Sequence, residues 1–196
     1  ETIARQATRM STIIDELLDL ARIEARQGKD FVLATLPLQA LVKQVLGDYN
    51  PPTGRTAPSL DAGHHPLQVR ADSDKLQQAL LNVVSNAFKY SPQGGAIEIA
   101  FVYPEPDDRR DTPQAGVRIT DHGIGMTPEQ LARVGERFYR VDKSGNIPGT
   151  GLGMSIVREI LTLMGGELQV DSVWGEGTTV TLWLPMAEIP AEAEVL

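Results

Sequence analysis

The last third of the chain constrains the fold most, because it ends in two strands joined by a very short connection. Residues 167–174 and 178–185 both alternate apolar and polar side chains, and only Gly175, Glu176 and Gly177 separate them. Such a short glycine-rich gap predicts an antiparallel hairpin. A helical segment over residues 151–164 leads into this hairpin and not into a parallel strand. The pattern therefore excludes an all-parallel, doubly wound sheet.

The middle of the chain mixes strands and helices. The period-two patterns predict strands at 31–35, 67–71, 96–103 and 116–120. Pro37 is expected to open one helix, and Asp72 is expected to cap another that runs to about Tyr90. We therefore predict an α+β domain over residues 29–186, a two-layer sandwich in which a mixed sheet packs on helices, followed by a loose tail over 187–196.

The first 28 residues form a different kind of segment, with no Gly or Pro before Gly28. Apolar residues recur at alternating spacings of four and three, which is a heptad seam: Ile3, Ala7, Met10, Ile14, Leu17 and Ala21. We predict one long coiled-coil-like helix that ends at Gly28 and that belongs to a helical hairpin or bundle. Helical character is already complete at Glu1 without a cap, so we expect the chain to be a piece of a longer protein.

Composition excludes several function classes. The chain has 196 residues, a formal net charge of −8 and no cysteine. Without cysteine it has no disulfide scaffold, no thiolate metal site and no cysteine nucleophile. The acidic balance argues against a role in coating nucleic acid. No apolar run approaches the ~20 residues that span a bilayer.

The helix that starts after Asp72 carries an unusual polar face. Its polar residues fall on one side, opposite the apolar residues: Lys75, Gln78, Asn82, Asn86 and Lys89. The simple interpretation is a solvated face. However, asparagine is a poor helix former, so two asparagines four residues apart cost helix stability. Carboxamide oxygens suit Mg²⁺, and a lysine one turn later can meet a phosphate.

Two glycine clusters flank a third candidate region. DHGIGM (121–126) follows a predicted strand and offers the Asp121 carboxylate where backbone can approach a ligand closely, although a simple Asx turn is the alternative. GTGLGMS (149–155) opens a helix whose free N–H groups could face a phosphate, or it is only a flexible loop and cap. It matches neither a P-loop nor a dinucleotide fingerprint. The basic segment ERFYR (136–140) between them suits a lid over an anionic ligand, or a surface loop with one buried aromatic.

The four clusters stand in the order NVVSNAFKYSP, DHGIGM, ERFYR and GTGLGMSIV. In this order they resemble the N box, first glycine box, F box and second glycine box of the ATP-binding catalytic domain of bacterial sensor histidine kinases. RMSTIIDELLDLARIEA (9–25) is similar to the second helix of that family's dimerisation and phosphotransfer hairpin, and GEGTTVTLWLP (175–185) extends the resemblance. The resemblance implies the Bergerat fold shared with gyrase, heat-shock-90 and MutL ATPases.

The resemblance also implies an ATP site. At its base end, Asp121 would accept the adenine amino hydrogen and Tyr90 would pack near the adenine. Gly123 and Gly125 would shape the pocket floor, and Thr178 stands where the family often places a hydroxyl near the base.

At the phosphate end, Asn86 would coordinate Mg²⁺ with help from Asn82, and Lys89 would contact a phosphate. The second glycine box would bound the lid and expose N–H groups through Gly149, Thr150, Gly151, Leu152 and Gly153. Phe138 would anchor the lid. The remaining candidates are basic residues that would contact a phosphate or, for the two arginines, the dimer partner: Arg137, Arg140 and Lys143.

The implied activity is an ATP- and Mg²⁺-dependent protein-histidine kinase, with no catalytic residue assigned within this chain. The three histidines, His64, His65 and His122, do not fit the family's acceptor motif, so we expect the acceptor to lie before Glu1. The implied partners are a response-regulator receiver domain and a second copy, which pairs through a four-helix bundle. The parent would be anchored in the inner membrane, with this part in the cytoplasm.

Three alternatives stay open beside a histidine kinase. One is a slow ATPase of the same superfamily, although its hydrolytic members place a glutamate where this chain has Asn82. A carboxamide cannot serve as a general base, so water attack should be slow. The second is a non-catalytic nucleotide-binding docking module, which the intact boxes disfavour. The third is a serine kinase of the anti-sigma-factor type, which the long first helix disfavours.

Overall fold

The computed structural model describes residues 2–104, 113–142, 147 and 149–187. Five helices lie in this part of the chain: α1 Thr2–Arg26, α2 Leu38–Asp48, α3 Ser73–Lys89, α4 Pro128–Leu131 and α5 Gly153–Leu163. Seven strands accompany them: β1 Ala34–Pro37, β2 Ser59–Leu60, β3 Gln68–Ala71, β4 Ile97–Val102, β5 Gln114–Asp121, β6 Glu167–Val173 and β7 Gly177–Pro185. Lys143 and all of the predicted tail except Ala187 fall outside the described residues.

A five-stranded mixed sheet forms one layer, in the order β2-β4-β5-β7-β6. The pairing of β2 with β4 is parallel, and the other three pairings are antiparallel. Strands β1 and β3 form a separate antiparallel ladder, and a bridge from Val69 to Met186 links it to the end of β7. The predicted α+β class and the C-terminal hairpin are both confirmed.

Helix α3 packs against the sheet as its sequence predicts. The Asp72 carboxylate accepts a hydrogen bond from the backbone N–H of Lys75 at 3.0 Å, which caps the helix. Its buried side chains form one face: Leu76, Ala79, Leu80, Val83, Val84, Ala87 and Phe88. Helix α5 is the neighbour of α3 in this layer and buries Ile156, Val157, Ile160 and Leu161. The polar face of α3 is thereby turned away from the core.

The β5–β7 register brings two of the predicted site residues together. Asp121 is the last residue of β5 and lies opposite Thr178, near the start of β7. The two residues that the resemblance assigned to base recognition are therefore cross-strand neighbours.

Helix α1 contacts the domain near its C-terminal end. Leu20 and Ile23 are buried in the common core, whereas the seam residues Met10, Ile14 and Leu17 are exposed. Gly28 follows the helix with a φ of +72°, which fits its predicted role of ending it. Within the described residues, no helix is long and apolar enough to cross a membrane.

Three short elements differ most from the predictions. Strand β1 begins at Ala34 and not at Phe31, because the backbone N–H of Val32 donates to the Asp72 carboxylate at 2.7 Å and takes no part in a strand ladder. Strand β2 and helix α4 were not predicted. The first has two residues and the second four, and elements this short carry no readable periodicity.

Candidate functional site

A cavity of about 810 Å³ lies between α3, the sheet, the segment that precedes α5, and the middle of α1. Twelve of the predicted site residues line it: Asn82, Asn86, Lys89, Tyr90, Asp121, Gly125, Arg140, Gly149, Thr150, Gly151, Gly153 and Thr178. Residues that are far apart in sequence thus meet around one volume large enough for a nucleotide.

A buried carboxylate marks one end of the cavity. Asp121 is only 6% exposed, and its Oδ1 accepts hydrogen bonds from the N–H of Gly123 at 2.9 Å and the hydroxyl of Ser91 at 3.4 Å. Burial raises the pKa of Asp121, while hydrogen bonds from Gly123, Thr178 and Ser91 oppose that rise. A desolvated carboxylate at a cavity wall is a strong acceptor for an amino group of a ligand.

Two glycines allow the backbone to approach closely at this end. A Cβ on Gly123 would lie 2.1 Å from the carbonyl oxygen of Tyr90, and one on Gly125 would lie 1.9 Å from that of Val173. The N–H of Ile124 donates to the same Tyr90 carbonyl at 2.9 Å. Gly123 therefore shapes the floor indirectly, by joining the β5 loop to the end of α3, and does not itself line the cavity.

Another part of the cavity wall combines carboxamides with a helix N-terminus. A Cβ on Gly153, the first residue of α5, would lie 3.6 Å from Asn82 Oδ1 and 3.9 Å from Asn86 Nδ2. The N-cap residue of α5 makes no side-chain hydrogen bond to the helix, so within the part of the chain that the structure describes its first N–H groups can meet a ligand. With Lys89 on the same wall, this part suits an anionic, phosphate-like group.

Comparisons with known proteins agree with this arrangement. The family model described as "Histidine kinase-, DNA gyrase B-, and HSP90-like ATPase" matches residues 71–188. That stretch is more than half of the chain and contains every box that lines the cavity. The chain belongs to this ATPase family. Individual relatives indicate which branch of this family the chain resembles most.

Relatives of the sensor histidine kinase type match almost the whole chain. Sensor histidine kinase WalK of Bacillus subtilis is 30% identical over 93% of the chain, and phosphate regulon sensor protein PhoR of Pseudomonas aeruginosa is 36% identical over 99%. The chain spans 30% and 42% of the length of these two relatives. Residues 71–188 therefore lie within a histidine-kinase-type ATP-binding domain, as the resemblance implied.

Solved structures agree on the fold. The mycobacterial sensor histidine kinase MprB has a TM-score of 0.63 and 30% identity, and the match covers 81% of this chain and all of that one. Full-length ShkA in complex with AMPPNP has a TM-score of 0.72 at 24% identity, over 97% of this chain and 39% of that one. The second likeness concerns the fold alone.

In this histidine-kinase domain the lid segment is joined to α5 through backbone. The N–H of Phe138 donates to the carbonyl of Gly151 at 2.9 Å, and a Cβ on Gly151 would lie 2.7 Å from the carbonyl carbon of Phe138. The Phe138 ring is 57% exposed, and its φ is +61°. The prediction that Phe138 anchors the lid is therefore wrong for its ring. The backbone forms the contact, since the left-handed conformation turns the side chain outwards.

Two other predicted site residues lie away from the cavity. Leu152 is fully buried in the hydrophobic core, directly before α5, so it supports the glycine box from behind. Arg137 forms an ion pair with Glu24 of α1 and does not line the cavity. In this conformation Arg137 contacts the first helix and not the phosphate end of the cavity.

Arg140 lies on the cavity wall with part of its hydrogen-bonding capacity unused. Its Nη2 donates to the carbonyl of Ile147, whereas its Nε is buried with no hydrogen-bond partner among the described residues. Burial raises the pKa of Tyr90, and the positive charge of Arg140 opposes that rise. Arg140 thus brings positive charge and an unsatisfied donor to the wall beside Tyr90.

The residues that sequence reasoning missed at this site include two on α1 and one behind the cavity wall. Thr12 and Glu16 of α1 line the cavity, and Glu16 accepts a hydrogen bond from the hydroxyl of Thr150. No local signal could have found them, because they depend on how α1 docks. Ser91 stands beside Tyr90 in the N box, so its position in the sequence could have drawn attention to it.

Proposed function

We propose that this chain binds Mg²⁺-ATP and that the whole protein passes the γ-phosphate to a histidine on its dimerisation helices. One observation carries the proposal: the buried Asp121 carboxylate and the Asn82–Asn86 pair line the same nucleotide-sized cavity. A site that combines a single hydrogen-bond acceptor with anion-binding groups suits an adenine nucleotide.

Binding of the base rests on Asp121 and its surroundings. The carboxylate would accept a hydrogen from the adenine 6-amino group, with the Thr178 hydroxyl next to it across the β5–β7 pair. The Tyr90 side chain lines the same cavity and would pack near the ring. Gly125 leaves room for the base because no Cβ stands on that floor.

The donors at the phosphate end fit Mg²⁺. Asn86 and Asn82 present carboxamide groups next to the α5 N-terminus, and oxygen is the ligand that Mg²⁺ prefers. When bound, Mg²⁺ would neutralise the charge that develops on the phosphates during transfer. Lys89, Arg140 and the N–H groups of residues 149–153 would hold and orient the phosphate chain.

The residue types favour transfer to an acceptor over attack by water. Hydrolytic relatives carry a glutamate where this chain has Asn82. Because a carboxamide does not take up a proton at neutral pH, Asn82 cannot activate a water molecule. The γ-phosphate would therefore persist until a nucleophilic imidazole is brought to it.

The family membership also supports a proposal on partners and location. A response-regulator receiver domain is the proposed receiver of the phosphate, and the histidine-bearing hairpin would be shared between two copies of the parent. The exposed seam of α1, with Met10, Ile14 and Leu17, supports residues 1–28 as a segment that pairs with other helices, separate from the catalytic domain at 29–186. We further propose that this part works in the cytoplasm beneath a membrane-anchored parent.

Calorimetric titration with ATP, with and without Mg²⁺, tests the proposal together with phosphate release on the same sample. We expect micromolar binding, at least tenfold weaker binding to Asp121→Asn, and negligible phosphate release. The full-length parent incubated with γ-labelled ATP should then carry label on a histidine. Absence of ATP binding to the unaltered chain would overturn the proposal and favour the docking module.

A further inference from the structure

The side chain of Ser91 lies directly behind the Asp121 carboxylate, and the family resemblance assigns it no role. Ser91 is 1% exposed and does not line the cavity, so it cannot touch a nucleotide itself. Its hydroxyl donates to Asp121 Oδ1 at 3.4 Å, and the Gly123 N–H donates to the same oxygen at 2.9 Å. Two donors on one oxygen restrict rotation of the carboxylate plane, and Oδ2 receives neither of these bonds.

Ser91 is itself held by Arg55, which lies in a loop for which the sequence predicted no function. Arg55 donates from Nη1 to the Ser91 carbonyl at 2.7 Å and from Nη2 to the Gly95 carbonyl at 3.1 Å. The planar guanidinium thus spans both ends of the turn after α3. This grip fixes the position of the turn that carries the Ser91 hydroxyl.

Aromatic rings in turn hold the Arg55 guanidinium. Its Cζ lies 5.1 Å from the centre of the Phe88 ring, and Phe88 stacks on Tyr49 with ring centres 5.6 Å apart. Phe88 belongs to the buried face of α3, so the stack is anchored in the core. A continuous series of contacts therefore runs from the core through Arg55 and Ser91 to Asp121.

We propose that Ser91, fixed by Arg55, is a positioning residue that orients the Asp121 carboxylate and so sets the preference of the cavity for a base with an exocyclic amino group. The proposal rests on the proposed nucleotide site. It adds a specificity determinant outside the cavity, in residues that never contact the ligand. Without the Ser91 hydroxyl the carboxylate would keep its other hydrogen bonds but lose one restraint on its rotation, so its alignment with a ligand amino group would be held less strictly.

The test compares ATP with purine riboside triphosphate, which lacks only the 6-amino group. If the unaltered chain prefers ATP by about tenfold, Ser91→Ala should reduce that preference to about threefold, mainly through weaker ATP binding. A general loosening of the fold would weaken both nucleotides equally and leave their ratio unchanged. The ratio therefore separates positioning from a merely structural role.

Ser59→Ala is the matched control. The Ser59 hydroxyl also donates at 3.4 Å, to the carbonyl of Ile97, but this residue lies on β2 outside the cavity, and its loss should leave the ratio unchanged. Arg55→Lys supplies an independent variant, since lysine keeps the charge but cannot span two carbonyls in one plane. We expect it to lower the ratio less than Ser91→Ala does.

The outcomes distinguish this inference from the proposed function. If the unaltered chain does not bind ATP, the proposed function fails first. If ATP binds, Asp121→Asn abolishes the preference for ATP, and Ser91→Ala keeps the full ratio, then the positioning role is overturned while the nucleotide site stands. Equal weakening of both nucleotides by Ser91→Ala would also overturn it.

Discussion

Glu16 on α1 accepts a hydrogen bond from the hydroxyl of Thr150, which lies 134 residues further along the chain in the second glycine box. This contact brings a half-buried carboxylate to the wall of the cavity near the end that suits phosphates. Like charges repel more strongly where water is partly excluded. The docked helix therefore disfavours the binding of a triphosphate.

Replacing Glu16 with glutamine should strengthen ATP binding. Glutamine keeps the size and can still accept from Thr150, but it removes the negative charge that faces the phosphates. We expect the Kd for ATP to fall about threefold in calorimetry, with no change for adenosine, which carries no phosphate. Asp19→Asn is the matched control, because Asp19 lies on the same helix and contacts Lys75 and Gln78 without lining the cavity. An equal gain for adenosine would contradict the electrostatic explanation.

Recognition of the 6-amino group should weaken in acid. Burial raises the pKa of Asp121 above its ordinary value of 3.8, and only the ionised form is a strong acceptor. The ratio of the affinities for ATP and purine riboside triphosphate should therefore fall as pH drops through this raised pKa, and stay flat above it. Taking the ratio cancels the titration of the phosphates, which the two nucleotides share. An affinity ratio that stays constant down to the ordinary carboxyl pKa would show that Asp121 does not recognise the 6-amino group.

The raised pKa of Asp121 also affects the stability of the fold. The free energy of unfolding changes with pH in the direction opposite to the affinity ratio. A raised pKa means that the folded, nucleotide-free state holds the Asp121 proton more tightly than the unfolded chain does. Ionisation of this carboxyl therefore lowers the free energy of unfolding as pH rises from the ordinary value through the raised one. The fold without nucleotide bears this cost at neutral pH, where the ionised group is needed for binding.

Gly123→Ala should destabilise the fold, whereas Gly149→Ala should not. The new Cβ at Gly123 would meet the Tyr90 carbonyl at 2.1 Å, so the β5 loop and the end of α3 would have to move apart. Apart from its chain neighbours, no described residue has an atom within 4 Å of a Cβ at Gly149. We expect a loss of about 2–3 kcal/mol in denaturant unfolding for the first variant and less than about 0.5 kcal/mol for the second. Similar losses for both would show that the close approach at Tyr90 is unimportant.

Asn82→Glu should increase basal ATP hydrolysis. A carboxylate one turn before Asn86 would stand where hydrolytic relatives keep their general base, and it could take a proton from water. Phosphate release measured at saturating ATP should rise about tenfold or more. Asn82→Gln is the control, since it lengthens the side chain equally but supplies no base. No difference between the two variants would mean that water has no productive position there.

Sequence patterns were sufficient where a function depends on neighbouring residues of one element. Asn82 and Asn86 share a face of α3 because they are four residues apart, and Asp121 ends a strand whose alternation is plain. Their arrival in one cavity followed from the family resemblance, whose boxes keep a fixed order.

Predictions failed where the answer depends on docking between distant segments. Arg137 pairs with Glu24, and Glu16 reaches Thr150, only because α1 packs beside α5. Arg55 sits in a loop rich in Pro and Gly, and its role arises from carbonyl groups 36 and 40 residues away. The resemblance implied that Phe138 anchors the lid, but its side chain is largely exposed on a residue with a left-handed backbone. None of these contacts produces a periodic pattern of apolar and polar residues that the sequence would show.

The spacing of Glu16, Leu20 and Ile23 joins two properties of α1. Residues at i, i+4 and i+7 share one face of a helix, so any rotation that withdraws Glu16 from the cavity also draws Leu20 and Ile23 out of the core. Exposing two such side chains costs roughly 3–6 kcal/mol. That cost is comparable to the free energy that shifts a two-state equilibrium from almost entirely one conformation to almost entirely the other. The orientation of a single helix is thus tied to how much negative charge an incoming nucleotide meets.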